Sequence, residues 1–280
     1  WPKEGSESGA TDTATGSGVL GYYVSLFATD SADVVDEDYF QTENSIISSG
    51  LVAGNTYYLA LTTEDQAGNI NQNTWRPFVY KFDDVAPTQP GDLSADPSGY
   101  TAVNKFTFSW DEATDSASGV AGYCYKTGTS SGTFASEQCT TALSVTDVPA
   151  YKKGANTFYL RAKDNAGNYS AYSTVSFYFN DDSPSPPKGL TVSPEESDTN
   201  SFEFSWSAPE VYFGNVSNLR YYYSVNALPS LANVQETPLT HLTAGAYATL
   251  PGENTFYLVA KDEAGNIDFK QYATATFYAN

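Results

Sequence analysis

Few residues of this chain are equipped for chemistry. Two cysteines, Cys124 and Cys139, stand 15 positions apart, and there is one histidine, His241. A single imidazole builds no histidine metal cluster, and pairing it with Cys124 as a nucleophile would have to join distant parts of the chain. No Gly-rich phosphate loop and no Gly-x-Ser-x-Gly elbow is present. Acidic residues are plentiful, but glycoside hydrolysis needs two carboxylates flanking a substrate cleft. The chain therefore reads as non-enzymatic. In an oxidising compartment Cys124 and Cys139 close one loop, a constraint of roughly 3 kcal/mol. In the cytosol they stay two free thiols. The rest of the chain reads as exported, so the disulfide is expected.

The acidic pairs Asp83/Asp84 and Asp181/Asp182 lie in linker-like segments. Paired carboxylates suit calcium, which prefers oxygen ligands, but no EF-hand spacing accompanies them. Asp before Ser or Pro is also ordinary turn chemistry. No cofactor is expected, with calcium at these two linkers as the alternative. Two sequons are present, Asn168-Tyr-Ser and Asn215-Val-Ser.

These residues hang on a repeat. "YYLALTTEDQAGN", "FYLRAKDNAGN" and "FYLVAKDEAGN" end at Asn69, Asn168 and Asn266, steps of 99 and 98 residues. That period is too long for a solenoid and matches complete domains of ~100 residues. Phe158, Leu160 and Ala162 alternate with Tyr159, Arg161 and Lys163; Phe256, Leu258 and Ala260 with Tyr257, Val259 and Lys261; Leu59, Leu61 and Thr63 keep the pattern. Period two predicts strands with one face inward. Asp-x-Ala-Gly-Asn then predicts a hairpin turn at Asp65, Gly68 and Asn69, at Asp164, Gly167 and Asn168, and at Asp262, Gly265 and Asn266. The Asp accepts nearby N–H groups, while Gly and Asn tolerate left-handed backbone. A closing strand follows each turn ("RPFVYKF", "TVSFYF", "TATFYAN"). Upstream, "KFTFSW" and "SFEFSW" place Trp110 and Trp206 in the core, and the next, Tyr-rich strands point Tyr22, Tyr123 and Tyr221 inward. Cys124 is then expected to face outward, across from a neighbouring strand.

A Pro-rich lead-in with Leu93 or Leu190, Trp110 or Trp206 on the second strand, Tyr on the third and a late hairpin resembles the fibronectin type III module, an immunoglobulin-like sandwich. "WSAP" (206–209) fits that family. "GLVAGNTYYL" resembles its tyrosine corner, which would make Tyr57 a core residue pinning the preceding loop. Asn156 and Asn254 stand where the corner Tyr belongs in the other two repeats. The Asp-x-Ala-Gly-Asn turn and "DSASGVAGY" resemble modules of large bacterial surface proteins. The resemblance implies an all-β fold of three tandem fibronectin-type-III-like β-sandwiches: 1–83, 84–181 with the disulfide, and 182–280. Trp1 aligns with Trp110 and Trp206, so the first repeat is expected to lack its N-terminal strands, and with no Met a processed or excised piece is expected.

Lys plus Arg number 13 against 33 Asp plus Glu, a net charge of −20. That sign disfavours nucleic acid and anionic membrane surfaces, and no apolar run approaches the ~20 residues that span a bilayer. The expected role is a structural spacer or assembly module outside the cell, on a cell surface or in a filament, joined in one version by strand donation between subunits. Expected partners are other copies, other surface proteins or glycans. The alternatives are an adhesin or carbohydrate-binding array, with Tyr212 and Phe213 as the exposed aromatics, and an accessory region of a larger secreted hydrolase.

Overall fold

A computed structural model describes residues 16–28, 34–71 and 78–280. The described chain is built of strands, with a single 3-10 turn at Val216–Asn218. No helix among these residues is long and apolar enough to cross a membrane. Trp1, and with it the expectation about the first repeat's missing strands, lies outside the described residues.

The third repeat shows the architecture in full. Lys188–Ser193, Phe202–Ser207 and His241–Gly245 form a three-stranded sheet. Glu196–Ser197, Ala273–Ala279, Gly252–Lys261, Arg220–Val225 and Gln235–Thr237 form the second, in that order. The two inner faces supply the core. Phe202, Phe204 and Trp206 alternate along one strand and are buried, as are Phe256, Leu258 and Phe277 opposite. Phe204 stacks on Phe256 with ring centroids 4.0 Å apart, and Trp206 meets Tyr221 edge-on at 5.5 Å. Burying such a side chain contributes roughly 1.5–3 kcal/mol.

The second repeat matches it strand for strand. Gly91–Asp96, Phe106–Asp111 and Ser144–Val148 form the smaller sheet. Gln138–Thr140, Val120–Gly128, Gly154–Asp164, Ser173–Phe179 and Tyr100–Thr101 form the larger. Phe108 stacks on Phe158 at 3.8 Å, and Phe106 meets Phe177 at 4.6 Å. In both repeats the strand after the Pro-rich segment lies at a sheet edge, where proline removes no ladder bond. In the first repeat, Val19–Ala28 pairs with Val34–Gln41 and Thr56–Asp65, which also pairs with Ile70–Asn71 and Phe78–Lys81. Tyr22, Val24, Leu26 and Tyr57 are buried, whereas Leu59, Leu61 and Thr63 are only half-buried.

The chain packs as two compact units. One takes in the described residues up to Pro90 together with Glu112–Tyr123 and Arg161–Ala171; the other takes in Gly91–Asp111, Cys124–Leu160 and Tyr172–Asn280. The first unit thus groups the first repeat with a loop and the Asp164 hairpin of the second.

Two side chains on the outward faces are nevertheless buried. Cys124 is 1% exposed rather than outward-facing in the open, because its disulfide to Cys139 on the adjacent edge strand covers it; Cys139 itself is exposed. Val259 is also fully buried, on the face expected to be wet. Its register partner on the neighbouring strand is Tyr222, and directly opposed side chains share a face, so the large ring shields it.

Candidate functional site: the Asp-x-Ala-Gly-Asn turns

The three turns share one geometry. Each Asp N–H donates to the carbonyl of the Asn four residues on, at 3.0, 3.1 and 3.1 Å, and the intervening Gly donates back to the Asp carbonyl. Gly68, Gly167 and Gly265 have φ of +83°, +103° and +91°, a region in which a Cβ is penalised. The Asp carboxylate closes the turn from inside. Asp164 accepts from the Gly167 and Asn168 N–H groups at 2.6 and 2.8 Å, and from Asn168 Nδ2 at 2.8 Å. Asp262 accepts from the Asn266 N–H at 2.9 Å and its Nδ2 at 3.2 Å. Asp65 accepts from the Ala67 and Asn69 N–H groups and from Asn69 Nδ2 at 2.7 Å. Donors on Asn69 hold the Asp65 carboxyl below its usual range, the side-chain amide foremost.

The turn also reaches backwards. Asn168 Nδ2 donates to the Asp83 carbonyl at 3.1 Å, 85 positions upstream. Asn266 Nδ2 donates to the Asn180 carbonyl at 2.8 Å, 86 positions upstream. Asp83 and Asn180 follow Phe82 and Phe179, at the close of the first and second repeats. The second and third turns therefore each hold the main chain that leaves the repeat before them. Sequence alone gave the turn but not this second use of the amide.

The contacts around the two clasps differ in charge. Asp83, Asp115 and Asp164 each bring a carboxylate oxygen within 4.8 Å of the others. An all-oxygen set of this kind suits a hard cation. The carboxylates, however, already collect N–H donors. Asp115 Oδ1 accepts from Ala117, Ser118 and Gly119 at 3.2, 2.9 and 2.7 Å. Asp83 accepts from Val85 at 3.0 Å and Ser118 at 3.2 Å. Donors on Ser118, then the Val85 N–H, hold Asp83 below the ordinary carboxylate range. Such donors favour ionised carboxylates at close quarters. At the other clasp Asn180 replaces Asp83, and its Nδ2 donates to Asp262 at 3.4 Å.

The linker pairs separate. Asp84 is exposed, and only Asp83 joins the cluster. Asp181 and Asp182 both face Lys153, the former at 2.6 Å. Lys153 keeps Asp181 below its usual range and is itself raised by the two carboxylates, Asp181 first. An ammonium thus already sits between the two carboxylates at which calcium was the alternative.

Of the remaining sequence-derived positions, Cys124 and Cys139 are joined, Trp110 and Trp206 are 4% and 6% exposed, and Tyr57 is 1% exposed. The Tyr57 hydroxyl accepts from the Val52 N–H at 2.6 Å, the tyrosine-corner contact. In its place the other repeats use a buried amide. Asn156 accepts from the Lys152 N–H and donates to the Lys152 and Gly154 carbonyls. Asn254 accepts from the Thr249 and Leu250 N–H groups and donates to the Leu250 and Gly252 carbonyls. The signal was the spacing: Asn156 and Asn254 follow Tyr57 at the repeat period. Tyr212 packs half-buried against the third core, and Phe213 is half-buried beside Gly154 of the second repeat. His241 is exposed at the start of a strand, beside Glu203 in a shallow groove.

No family model matches the chain. It is 33% identical over 175 residues to Exoglucanase B of Cellulomonas fimi, covering 60% of this chain and 15% of that protein. It is 31% identical over 163 residues to Chitinase A1 of Niallia circulans, covering 56% of this chain and 21% of that protein. The chain thus spans a small part of these curated relatives. Among solved structures, the chicken CNTN1 FN1-FN3 domains align over 92% of this chain and 89% of theirs, at 14% identity and a TM-score of 0.36. With a three-stranded sheet packed on a larger one in its second and third repeats and a tyrosine corner in its first, the chain has the all-β fold of tandem fibronectin-type-III-like sandwiches.

Proposed function

We propose that this chain is an extracellular, non-catalytic spacer within a larger secreted polysaccharide hydrolase, divided into modules at 83/84 and 181/182. The observation that carries this reading is the pair of clasps, Asn168 to Asp83 and Asn266 to Asn180. They restrict motion where one repeat hands over to the next, which is what a spacer needs and a catalytic cleft does not. The relatives support the setting: a glucanase and a chitinase by name, each matched over a minor part of its length. The disulfide suits an oxidising compartment.

The test is made in the parent polypeptide. Its intact mass under denaturing conditions should greatly exceed the 30.2 kDa of this chain. Deleting residues 84–181 should lower hydrolysis of insoluble polysaccharide several-fold and leave turnover of a soluble oligosaccharide unchanged. A parent of 30.2 kDa, or equal losses on both substrates, would sink the reading.

A further inference from the structure

We infer that Asn215 is an acceptor site for N-linked glycan and that Asn168, the other sequon, is closed to it in the folded chain. Both satisfy the Asn-x-Ser pattern that oligosaccharyl transfer reads. Their surroundings differ. Asn215, Val216 and Ser217 are all exposed, on the loop between the Phe202–Ser207 and Arg220–Val225 strands. Val216 shows 56% of its surface, although it is apolar. The Asn215 side chain makes no capping hydrogen bond to the short turn it precedes. Its backbone is fixed instead, the N–H donating to Glu263 Oε2 at 2.9 Å. The segment is thus held from below with its amide nitrogen free.

Asn168 spends the same nitrogen. One Nδ2 hydrogen serves Asp164 Oδ2 at 2.8 Å and the other serves the Asp83 carbonyl at 3.1 Å. An amide has only two such hydrogens. In transfer from a polyprenyl-diphosphate oligosaccharide, the amide nitrogen bonds to the anomeric carbon. The carbon–oxygen bond to diphosphate breaks with its electron pair, and one amide proton leaves to a base on the transferase. A glycosylated Asn168 would keep one N–H and lose one of its two partners, opening either the turn or the clasp. Asn215 would lose nothing.

The experiment incubates the folded chain with a single-subunit eukaryotic-type oligosaccharyltransferase and its polyprenyl-diphosphate oligosaccharide, then maps glycopeptides by mass spectrometry. Modification at Asn215 and not at Asn168 is expected. Asn215→Gln and, separately, Ser217→Ala should each reduce incorporation at least tenfold while the circular dichroism spectrum stays unchanged. Comparable modification at Asn168, or an unmodified Asn215 while a control acceptor peptide reacts, overturns the proposal.

Discussion

Asn254 is buried and ties four backbone groups of one loop, the Thr249 and Leu250 N–H groups and the Leu250 and Gly252 carbonyls. Replacing it by Ala leaves those groups without partners in a dry place, which costs about 1–3 kcal/mol for each that stays unsatisfied. Asn254→Ala should therefore lower stability by roughly 2–4 kcal/mol in urea unfolding, whereas Tyr57→Phe, which removes one hydroxyl, should cost only about 1–2 kcal/mol. Equal, small effects would mean that the amide is not the loop's anchor. The carboxylates set a pH dependence. Asp65, Asp83, Asp181 and Glu210 are all held below their usual ranges, by donors on Asn69, Ser118, Lys153 and Lys188 respectively. A depressed folded-state value gives stability that is present above the unfolded value, about 4, and is lost as pH falls through the folded one. The melting temperature should hold from pH 7 to 5 and fall below about pH 4. A rise on acidification would instead show that relief of the −20 charge dominates. At this scale the sequence revealed residue types and turns. It did not reveal partners 85 positions away, because a side-chain amide carries no record of which distant carbonyl it will meet.

Period-two alternation made the strands legible, and it succeeded where one face is dry and the other wet. Phe158, Leu160 and Ala162 are each fully buried as the pattern required. At Val259 and Cys124 the outward side chain is buried all the same, because a neighbouring ring and a disulfide cover the outer face. The disulfide ties a three-residue edge strand to the sheet, and a two- or three-residue strand has little ladder to hold it alone. Cys124→Ser with Cys139→Ser should destabilise the second repeat by about 3 kcal/mol, given a loop of that length. A melting temperature indifferent to dithiothreitol would refute this. Phe204 stacks between the sheets of the third repeat, so Phe204→Ala should cost about 3–5 kcal/mol in the same assay, seen as an early-melting transition.

Across the whole molecule the period announced three repeats, and the strand order gives the second and third a common architecture. The way the chain between repeats is held was not legible, since Asp83 and Asn180 look like unremarkable turn residues. Asn168→Ala tests that hold. It removes the bonds to Asp83 and Asp164 together, and should both lower stability by about 1–3 kcal/mol and speed proteolysis of the 83–90 segment several-fold. Asp164→Asn separates the two uses, because it weakens the turn while leaving the Asp83 carbonyl in place. Unchanged cleavage in Asn168→Ala, with stability lost, would confine the amide's role to the turn.

The acceptor in each clasp is a main-chain carbonyl, and the donor belongs to the repeat that follows. Every residue type supplies such a carbonyl, and this chain already uses Asp in one place and Asn in the other. A duplicated or reordered repeat would therefore bring its own fastener and find a mate on whatever precedes it. Recombination between genes could lengthen, shorten or reshuffle such an array without any matching substitution in the neighbouring repeat.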